Sequence, residues 1–469
     1  MYKKVMYITM GVITILSIVL ASCATKTSTP ETIEVTRVVA GTPEVHIITT
    51  TPAPTEPPVP TNTPEPEVVT IRFTHLTWLE AGLKVLDDAI ADFEKQNPGI
   101  KIEQSVVSWG EAHSQFITAL AAGVAPDIQM LGTPWENEFY RMGALQPGDE
   151  YLPANFNDRF LDSALHSVVF DGKTYGIPWE GSDWGFYYRK DLFEKAGLDP
   201  NKPPTTWEEL VDYAKKLTIM ENGKVVQWGL EIPAGGWEGD DYFDQFLWAA
   251  GNDIAKPNDT GIWASTLGEP SALKAFQFYY DLTNTYKVMP SDVVGKTWED
   301  VKNDFVFGTV AMMYDGGWTT GVIKDTAKDI EGKWAGAIPP AGPSGKPVTL
   351  GYPNTLVVTA QSKHPKEAYK FLEFLQTGSP SWADKYCLAH ASFNWTKDYV
   401  NSDFAKEPLI VPLAESLAFS RNKPYAPDYE KFRMGYFIPA IQSLLKGDLT
   451  PEAASKQLVE AFNKIHGAP

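Results

Sequence analysis

The sequence is poor in the residues that build metal centres and disulfide frameworks. It contains two cysteines and seven histidines among 469 residues. A disulfide scaffold or a cysteine-rich zinc site needs several cysteines at set spacings, so both are excluded. No H-E-x-x-H, C-x-x-C, G-x-S-x-G or phosphate-loop motif occurs. The sequence therefore gives no support to metal or nucleophilic catalysis, and we expect no cofactor.

Positive charge is also scarce. Lys and Arg number 40 against 59 Asp and Glu, which gives a formal net charge of −19. A nucleic-acid-binding surface needs a basic footprint, so this acidity argues against such a partner. Tryptophan, by contrast, is abundant, with 15 residues. A chain with this many indoles either has a very aromatic core or presents some of them to a ligand.

The N-terminal segment predicts export and lipid attachment. Two lysines precede an uncharged run over residues 5–22, which is typical of a signal peptide or a membrane anchor. The letters L-A-S-C at 20–23 resemble the lipobox of bacterial lipoproteins. This resemblance implies that residues 1–22 are removed and that Cys23 is acylated. An uncleaved anchor helix is the alternative, and in both cases the rest of the chain is exported.

A Thr- and Pro-rich segment follows over residues 23–67 and contains no aromatic residue. Proline favours extended polyproline geometry, so we predict a semi-stiff tether between a membrane and a folded body over 68–469. If Cys23 is acylated, Cys387 has no disulfide partner. We expect Cys387 to be a buried packing residue.

The folded body begins with alternating strand and helix patterns. Its apolar spacing predicts a strand over 69–73, a helix over 83–93, a strand over 100–107, a helix over 111–122 and a strand over 126–131. This order indicates an α/β fold with a largely parallel sheet. Later segments favour helices, including one near Thr206 with a capping box to Glu209, one over 366–376 and one that begins at Pro451.

Four loop stretches combine tryptophan with small and acidic residues. They lie at 132–136, 178–184, 235–242 and 315–318. A carbohydrate presents C–H faces that stack on aromatic rings and hydroxyls that pair with carboxylates and amides. The composition of these loops suits such a ligand, and packing in a core or hinge is the alternative for each ring.

Several segments of the folded body resemble, in the same order, the family 1 extracellular solute-binding proteins of ABC importers. This group contains the maltose- and glycerol-phosphate-binding proteins. One departure is Arg189, where relatives usually have Asn after a pair of tyrosines. The matching segments are A-G-V-A-P-D-I at 122–128, G-K-T-Y-G-I-P at 172–178, Y-Y-R-K-D-L-F at 187–193, P-T-T-W-E-E-L at 204–210, F-G-T-V-A-M-M at 307–313 and G-G-W at 316–318.

The resemblance implies a periplasmic-binding-protein type II fold, with two α/β lobes joined by crossing strands and a ligand cleft between them. By analogy with the maltose branch, the first lobe covers 68–182 plus 313–352. The second lobe covers 183–312 plus 353–469. Closure about the hinge buries the ligand, and the importer binds the closed state.

The resemblance also implies ligand-binding residues in this cleft. In sugar-binding relatives the Trp at the position of Trp318 stacks on a sugar ring. Ser182 and Asp183 lie where relatives present a hinge-side carboxylate, and Arg433 and Tyr436 lie on a late helix that contacts ligand in the maltose branch. The complete predicted set is Trp78, Glu80, Trp109, Trp135, Glu136, Trp179, Asp183, Trp237, Asp240, Tyr242, Asp315, Trp318, Tyr352, Asn354, Arg433 and Tyr436.

We therefore expect a lipid-anchored, monomeric receptor that binds an oligosaccharide or another sugar and delivers it to ABC permease subunits. Its expected place is the outer face of the cytoplasmic membrane. Four alternatives stay open: an exported glycoside hydrolase, a glycerol-phosphate receptor, a receptor for a cation such as a polyamine, and a surface scaffold. The acidic body and the few arginines in the loops make phosphate recognition the weaker binding alternative.

Overall fold

The computed structural model describes residues 68–76, 80–133, 135–259, 261–390, 392–399, 402–424 and 426–468. The predicted signal peptide, Cys23 and the tether lie outside the described residues, and so does Trp78. Within the described part of the chain, no helix combines the length and the apolar composition needed to cross a membrane.

Strands and helices alternate through the first part of the chain, as the spacing of apolar residues predicts. The strands are β1 (Val69–Leu76), β2 (Ile100–Val107), β3 (Ile128–Leu131), β4 (Val169–Phe170), β5 (Lys173–Thr174), β6 (Gly176–Arg189), β7 (Ile219–Glu221), β8 (Lys224–Gln227), β9 (Ala255–Pro257), β10 (Trp263–Ser265), β11 (Met312–Gly316), β12 (Trp334–Ala337), β13 (Thr349–Val358) and β14 (Ser420–Arg421).

Helices follow most of the longer strands and make up most of the later chain. They are α1 (Glu80–Gln96), α2 (Trp109–Ala122), α3 (Trp135–Arg141), α4 (Asp162–Leu165), α5 (Lys190–Lys195), α6 (Trp207–Leu217), α7 (Asp241–Ala249), α8 (Pro270–Asn284), α9 (Trp298–Phe307), α10 (Trp318–Thr326), α11 (Pro365–Leu375), α12 (Trp382–His390), α13 (Val411–Ser416), α14 (Tyr429–Phe432), α15 (Ile438–Lys446) and α16 (Pro451–His466).

The main sheet has the order β11-β6-β13-β3-β1-β2, with β12 added beside β6 and β14 beside β13. The pairs β1–β2 and β1–β3 are parallel, which confirms the predicted α/β arrangement at the start of the body. The strand β6 is antiparallel to β11, β12 and β13, and β13 is antiparallel to β3 and β6 but parallel to β14. This mixed α/β architecture agrees with the predicted fold class.

Two hydrophobic cores correspond to the two lobes, and β6 runs from one to the other. Ile177 and Trp179, near the start of β6, belong to the core that contains β1, which we call the first core. Phe186 and Tyr188, near its end, belong to the second core, which contains α7 and α8, whereas Tyr187 between them packs in the first core. The strand β13 crosses in the opposite direction, because its start packs in the second core and its end in the first.

The two crossing strands approach closely where they change lobe. Residues 180–183 of β6 pair with residues 351–354 of β13. A β-carbon at Gly181 would collide with the carbonyl oxygen of Tyr352 and would lie 3.1 Å from the Cα atom of Pro353. Glycine is therefore required at 181, because any side chain would push the crossing strands apart.

The packing corrects one predicted lobe boundary. We assigned residues 353–469 to the second lobe, but α11 and α12 pack in the first core. The Phe371 ring on α11 lies 5.0 Å from Phe93 and 5.9 Å from Phe73, centroid to centroid. After β13, the next buried apolar residue of the second core is Ala426, which follows β14. The apolar face of a helix predicts burial, but it does not specify which core receives the helix.

Candidate functional site

A cavity of about 680 Å³ opens beside the crossing point of β6 and β13. This volume is in the usual range of small-molecule sites, roughly 300–1,000 Å³. Trp109, at one side of the cavity, packs against both hydrophobic cores, so the walls belong to both lobes. The lining residues come from 108–110, 181–184, 235–238, 297–299, 318–326 and 352–354.

Aromatic rings dominate the cavity walls. Five tryptophans and one tyrosine line it: Trp109, Trp184, Trp237, Trp298, Trp318 and Tyr352. The rings of Trp109 and Trp237 are nearly parallel, with an interplanar angle of 11° and centroids 6.3 Å apart. The ring of Trp318 is edge-on to Trp184 at 4.9 Å and to Trp298 at 6.0 Å. The cavity therefore presents both flat faces and ring edges to a bound molecule.

Local structure explains why several of these rings reach the cavity. Trp109, Trp298 and Trp318 are the first residues of α2, α9 and α10. A residue in the first turn of a helix lies beside the preceding loop rather than within the packed helix body. At α9, the reciprocal capping box between Thr297 and Asp300 specifies where the helix begins. Three separate helix starts thereby bring their indoles to one cavity.

Buried polar atoms without a protein partner lie in residues of the same wall. Among the described residues, Trp184 Nε1, Tyr352 Oη and Asn354 Oδ1 are buried and accept or donate no hydrogen bond. An unpaired buried polar group costs about 1–3 kcal/mol. A hydroxyl group both donates and accepts, so it is the kind of ligand group that suits both the donors and the acceptors among these atoms.

Two glutamates also line the cavity. Glu238 follows Trp237, and Glu299 follows Trp298. Burial, together with the nearby carboxyls of Asp241 and Asp315, raises the pKa of Glu238 well above its usual range. This shift favours the protonated form of the Glu238 carboxyl, and that form offers an O–H donor. Within the described chain, no lysine or arginine lines this cavity.

The structure brings some of the predicted site residues together at this cavity. Those that line it are Trp109, Trp237, Trp318, Tyr352 and Asn354, and Ser182 joins them. The prediction missed Trp184, Trp298, Glu238 and Glu299. Trp298 is followed by two acidic residues. The same combination of tryptophan with acidic residues marked the four loop stretches of the prediction, so it could have identified Trp298 as well.

The other described members of the predicted set do not line the cavity. Trp135 lies behind the wall, with its ring 5.9 Å from Trp109 and 6.3 Å from Trp237. Trp179 is sealed in the first core against Tyr386 at 4.8 Å. Glu80 borders a separate surface depression, and Tyr436 is 39% exposed on a π-helical turn. The remaining members are buried side chains: Glu136, Asp183, Asp240, Tyr242, Asp315 and Arg433.

The profile of the family described as bacterial extracellular solute-binding proteins matches residues 78–377, which is more than half of the chain. The chain belongs to this family. A putative binding protein of Brucella abortus (strain 2308) is 33% identical over 381 residues, which are 80% of this chain and 87% of that protein.

Solved structures of similar proteins show the same fold. An ABC transporter solute-binding protein from Thermotoga lettingae, bound with α-D-tagatose, is 28% identical and superposes with a TM-score of 0.74 over 85% of this chain and 100% of that one. The maltose-bound MalE3 protein of T. maritima is 25% identical, with a TM-score of 0.73 and the same coverage of 85% and 100%. The protein is thus an extracellular solute-binding protein of an ABC transporter, with sugar-binding relatives.

In this solute-binding protein, Asp240 and Arg433 belong to a buried ion cluster rather than to the cavity wall. Lys423 Nζ lies 2.7 Å from Asp240 and 3.4 Å from Asp244, and it also contacts Asp241. Arg433 Nε lies 2.9 Å from Asp240, and Nη2 lies 3.1 Å from Asp241. Although burial raises the pKa of Asp240, Arg433 and Lys423 lower it below its ordinary value.

The ion cluster supports the cavity wall from behind. Arg433 donates a hydrogen bond to the carbonyl oxygen of Trp237, and its guanidinium carbon lies 5.5 Å from the centre of the Trp237 ring. The carboxyl oxygens of Asp240, Asp241 and Asp244 lie within 4.8 Å of one another, which is a spacing that suits a metal ion. Lys423 and Arg433 already supply the positive charge there. Arg433 is the member of the cluster that contacts Trp237 directly.

Asp315 and Tyr242 shape the segment that leads to Trp318. Asp315 Oδ2 accepts a hydrogen bond from the Thr319 hydroxyl at 2.6 Å, and Oδ1 accepts one from the backbone N–H of Gly316 at 2.7 Å. Tyr242 Oη donates to Asp315 Oδ1 at 3.4 Å. Burial raises the pKa of Asp315 to about 7, although these hydrogen bonds oppose the shift.

We predict that Lys423→Met lowers the free energy of unfolding by roughly 3–5 kcal/mol, because it leaves buried carboxylates with one cation fewer. Urea denaturation measures this difference. Lys431→Met is the matched control, since Lys431 is exposed on the nearby α14 and should change stability little. A loss below about 1 kcal/mol for Lys423→Met would contradict the role of this cluster.

We predict that Asp183 makes stability fall as pH rises. Burial raises the pKa of Asp183 from 3.8 to about 8, although its hydrogen bond from Ser416 opposes the shift. Between these values the folded state keeps a proton that the unfolded state has lost. Unfolding then releases this proton. The contribution of Asp183 to the free energy of unfolding therefore falls by at most about 1.4 kcal/mol for each unit by which the pH rises.

Urea denaturation of Asp183→Asn between pH 5 and pH 7 tests this prediction. The variant should show a shallower decline of unfolding free energy with pH, because its amide does not titrate. Ser416→Ala keeps the carboxyl group and should keep the decline. Equal slopes for the wild type and Asp183→Asn would show that Asp183 is not the group responsible.

Proposed function

We propose that this protein is the receptor of a carbohydrate ABC importer and that it captures an oligosaccharide or another sugar in the cavity beside the crossing strands. The observation that carries the proposal is the combination of five indole rings with unpaired buried polar atoms in the wall of one cavity. Recognition of a sugar needs both aromatic rings that stack on its C–H faces and polar groups that form hydrogen bonds with its hydroxyls. The bound maltose and α-D-tagatose of the two solved relatives support this class of ligand.

Two other solute classes fit this cavity less well. A glycerol phosphate needs cationic recognition, and no lysine or arginine lines the described cavity. Aromatic walls suit a cation, but Trp184 Nε1 is a donor that a cation cannot satisfy. A neutral polyhydroxylated solute offers both donors and acceptors, so it suits this mixture of indole, phenol, amide and carboxyl groups better than either alternative.

Lobe closure is part of the proposed mechanism. We propose that β6, β13 and the segment after β14 act as the hinge, because they connect the two hydrophobic cores. A solute that contacts Trp109 and Trp237 together binds the closed form better than the open one, and this difference drives closure. The closed receptor, as a monomer, then delivers the solute to permease subunits.

Isothermal titration calorimetry of the full-length protein in detergent tests the ligand class. The panel contains maltose, maltotriose, mannobiose and D-tagatose, with sn-glycerol 3-phosphate and spermidine as the alternative classes. We expect at least one sugar to bind and neither alternative to do so. Analysis of the same samples for released reducing ends tests the glycoside hydrolase alternative. Binding of spermidine or the phosphate alone would refute the sugar assignment.

We predict that Trp318→Ala weakens sugar binding by about 1–3 kcal/mol, which corresponds to about 5- to 150-fold in Kd. The reason is the loss of one aromatic surface from the cavity wall. Trp382→Ala is the matched control, since Trp382 is a partly exposed indole at the start of α12 that does not line the cavity. Unchanged affinity in Trp318→Ala would remove this residue from the binding site.

We also propose that Cys23 carries the lipid anchor and that residues 24–67 tether the receptor to the outer face of the cytoplasmic membrane. The lipobox-like sequence and the Thr- and Pro-rich composition support this proposal. A multiply acylated cysteine anchors a protein stably, whereas a single chain does not.

We predict that Cys23→Ser abolishes metabolic labelling with palmitate and leaves residues 1–22 attached, because the lipobox cysteine is both the acylated residue and the first residue after the cleavage site. Cys387→Ser is the matched control, because Cys387 is the other cysteine and is a buried free thiol. It should keep the label and the mass of the cleaved protein. If the wild type carries no label and keeps residues 1–22, the N-terminal segment is an uncleaved anchor helix instead.

A further inference from the structure

Glu180 and Asn354 form a buried side-chain pair behind the cavity. They are direct partners in the antiparallel register of β6 and β13, so their side chains lie on the same face of the sheet. Glu180 is fully buried and Asn354 is 3% exposed. Asn354 Nδ2 donates a hydrogen bond to Glu180 Oε1 at 2.6 Å. Asn354 lines the cavity, whereas Glu180 does not.

This hydrogen bond determines how the Asn354 amide is turned. Because Oε1 of Glu180 accepts this bond, the amide presents its NH₂ group to Glu180. The carbonyl oxygen Oδ1 is then directed away from Glu180. Among the described residues, this buried oxygen has no hydrogen-bond partner. The pair therefore leaves an unsatisfied acceptor on a residue of the cavity wall.

The surroundings of Glu180 limit its movement. Its side chain is fully buried, and its second oxygen, Oε2, lies 3.7 Å from Nδ1 of the buried His390 on α12. The backbone beside the pair is also constrained, because β6 carries an extra residue, Trp179, at the register shift before Glu180, and Gly181 follows Glu180 at the close approach of the strands. Burial and this backbone geometry restrict the positions that the Glu180 side chain can adopt beside the Asn354 amide.

We propose that Glu180 is a specificity-determining positioning residue. It does not touch the solute, but it orients Asn354 so that Oδ1 accepts a hydrogen bond from one solute hydroxyl. Trp184 Nε1, the unpaired donor of the same wall, requires an acceptor on the solute. The site thus distinguishes a hydroxyl from a group of similar size that only accepts. This inference rests on the proposed sugar-binding function and specifies one polar contact of that site.

Glu180→Gln tests the inference, because a glutamine side chain presents either an oxygen or an NH₂ group to Asn354 and no longer fixes its amide. The matched control is Glu136→Gln. Glu136 is also fully buried and accepts a hydrogen bond from the hydroxyl of Thr355, the neighbour of Asn354 on β13, but it does not line the cavity. Thermal unfolding establishes first that both variants fold.

The measurement compares a sugar with its fluorinated analogues. The wild type and both full-length variants are titrated with the sugar of the panel that the wild type binds most tightly, and with analogues of it in which one hydroxyl at a time is replaced by fluorine. Fluorine cannot donate a hydrogen bond. We expect one analogue to lose at least about tenfold in affinity for the wild type and for Glu136→Gln. For Glu180→Gln we expect this discrimination to fall to within about threefold, because Asn354 can present its NH₂ group.

Each outcome has a distinct meaning. If the wild type binds neither maltose, D-tagatose nor any other sugar of the panel, the proposed function fails and this inference fails with it. If the wild type binds a sugar and Glu180→Gln keeps the same discrimination, the inference is overturned while the proposed function stands. If Glu180→Gln does not fold, a crystal structure of the wild type with the bound sugar decides instead. A hydroxyl within 3.2 Å of Asn354 Oδ1 supports the inference, and any other group there refutes it.

Discussion

The pairing of β6 with β13 is the interaction on which the rest of this structure depends. Each strand starts in one hydrophobic core and ends in the other, and they pair over residues 180–183 and 351–354, where they change lobe. Interstrand hydrogen bonds join the lobes there, and Gly181 allows the close approach. Because the same residues line the cavity or support its wall, the connection between the lobes and the binding site are one piece of structure.

The structure also depends on a group of buried charged side chains near the cavity, which are paired with charges of opposite sign. Lys423 comes from the segment after β14, and Arg433 comes from the π-helical turn, and both pair with carboxylates at the start of α7. Such a buried cluster contributes little net stability, since desolvation offsets much of the attraction. Its value is positional, because Arg433 also holds the backbone and ring of Trp237. The aromatic wall thus depends on ionic contacts that no ligand needs to touch.

The cavity combines aromatic surfaces for stacking with polar atoms for hydrogen bonding. A purely hydrophobic pocket seldom offers both. Indoles provide broad apolar faces with little conformational entropy to lose, which favours stacking on a flat solute. The unpaired polar atoms of Trp184, Tyr352 and Asn354 favour one orientation of the solute, because hydrogen bonds are directional. Apolar solutes would leave these atoms unsatisfied, and this cost is a source of selectivity. Membership in the solute-binding family and the sugar-bound relatives agree with this chemistry.

The sequence by itself determined the features that depend on neighbouring residues. Apolar spacing predicted β1 to β3 with their helices, and short ordered motifs predicted the family and the two-lobed fold. Tertiary structure alone decided which side chains meet. On β6, adjacent residues point to opposite sides, so the fold selects Trp184 for the cavity and leaves Asp183 against Ser416. Asp240 pairs with Arg433 across 193 positions, and α11 packs on the first core. Burial and desolvation depend on partners that are distant along the chain, and local patterns do not contain that information.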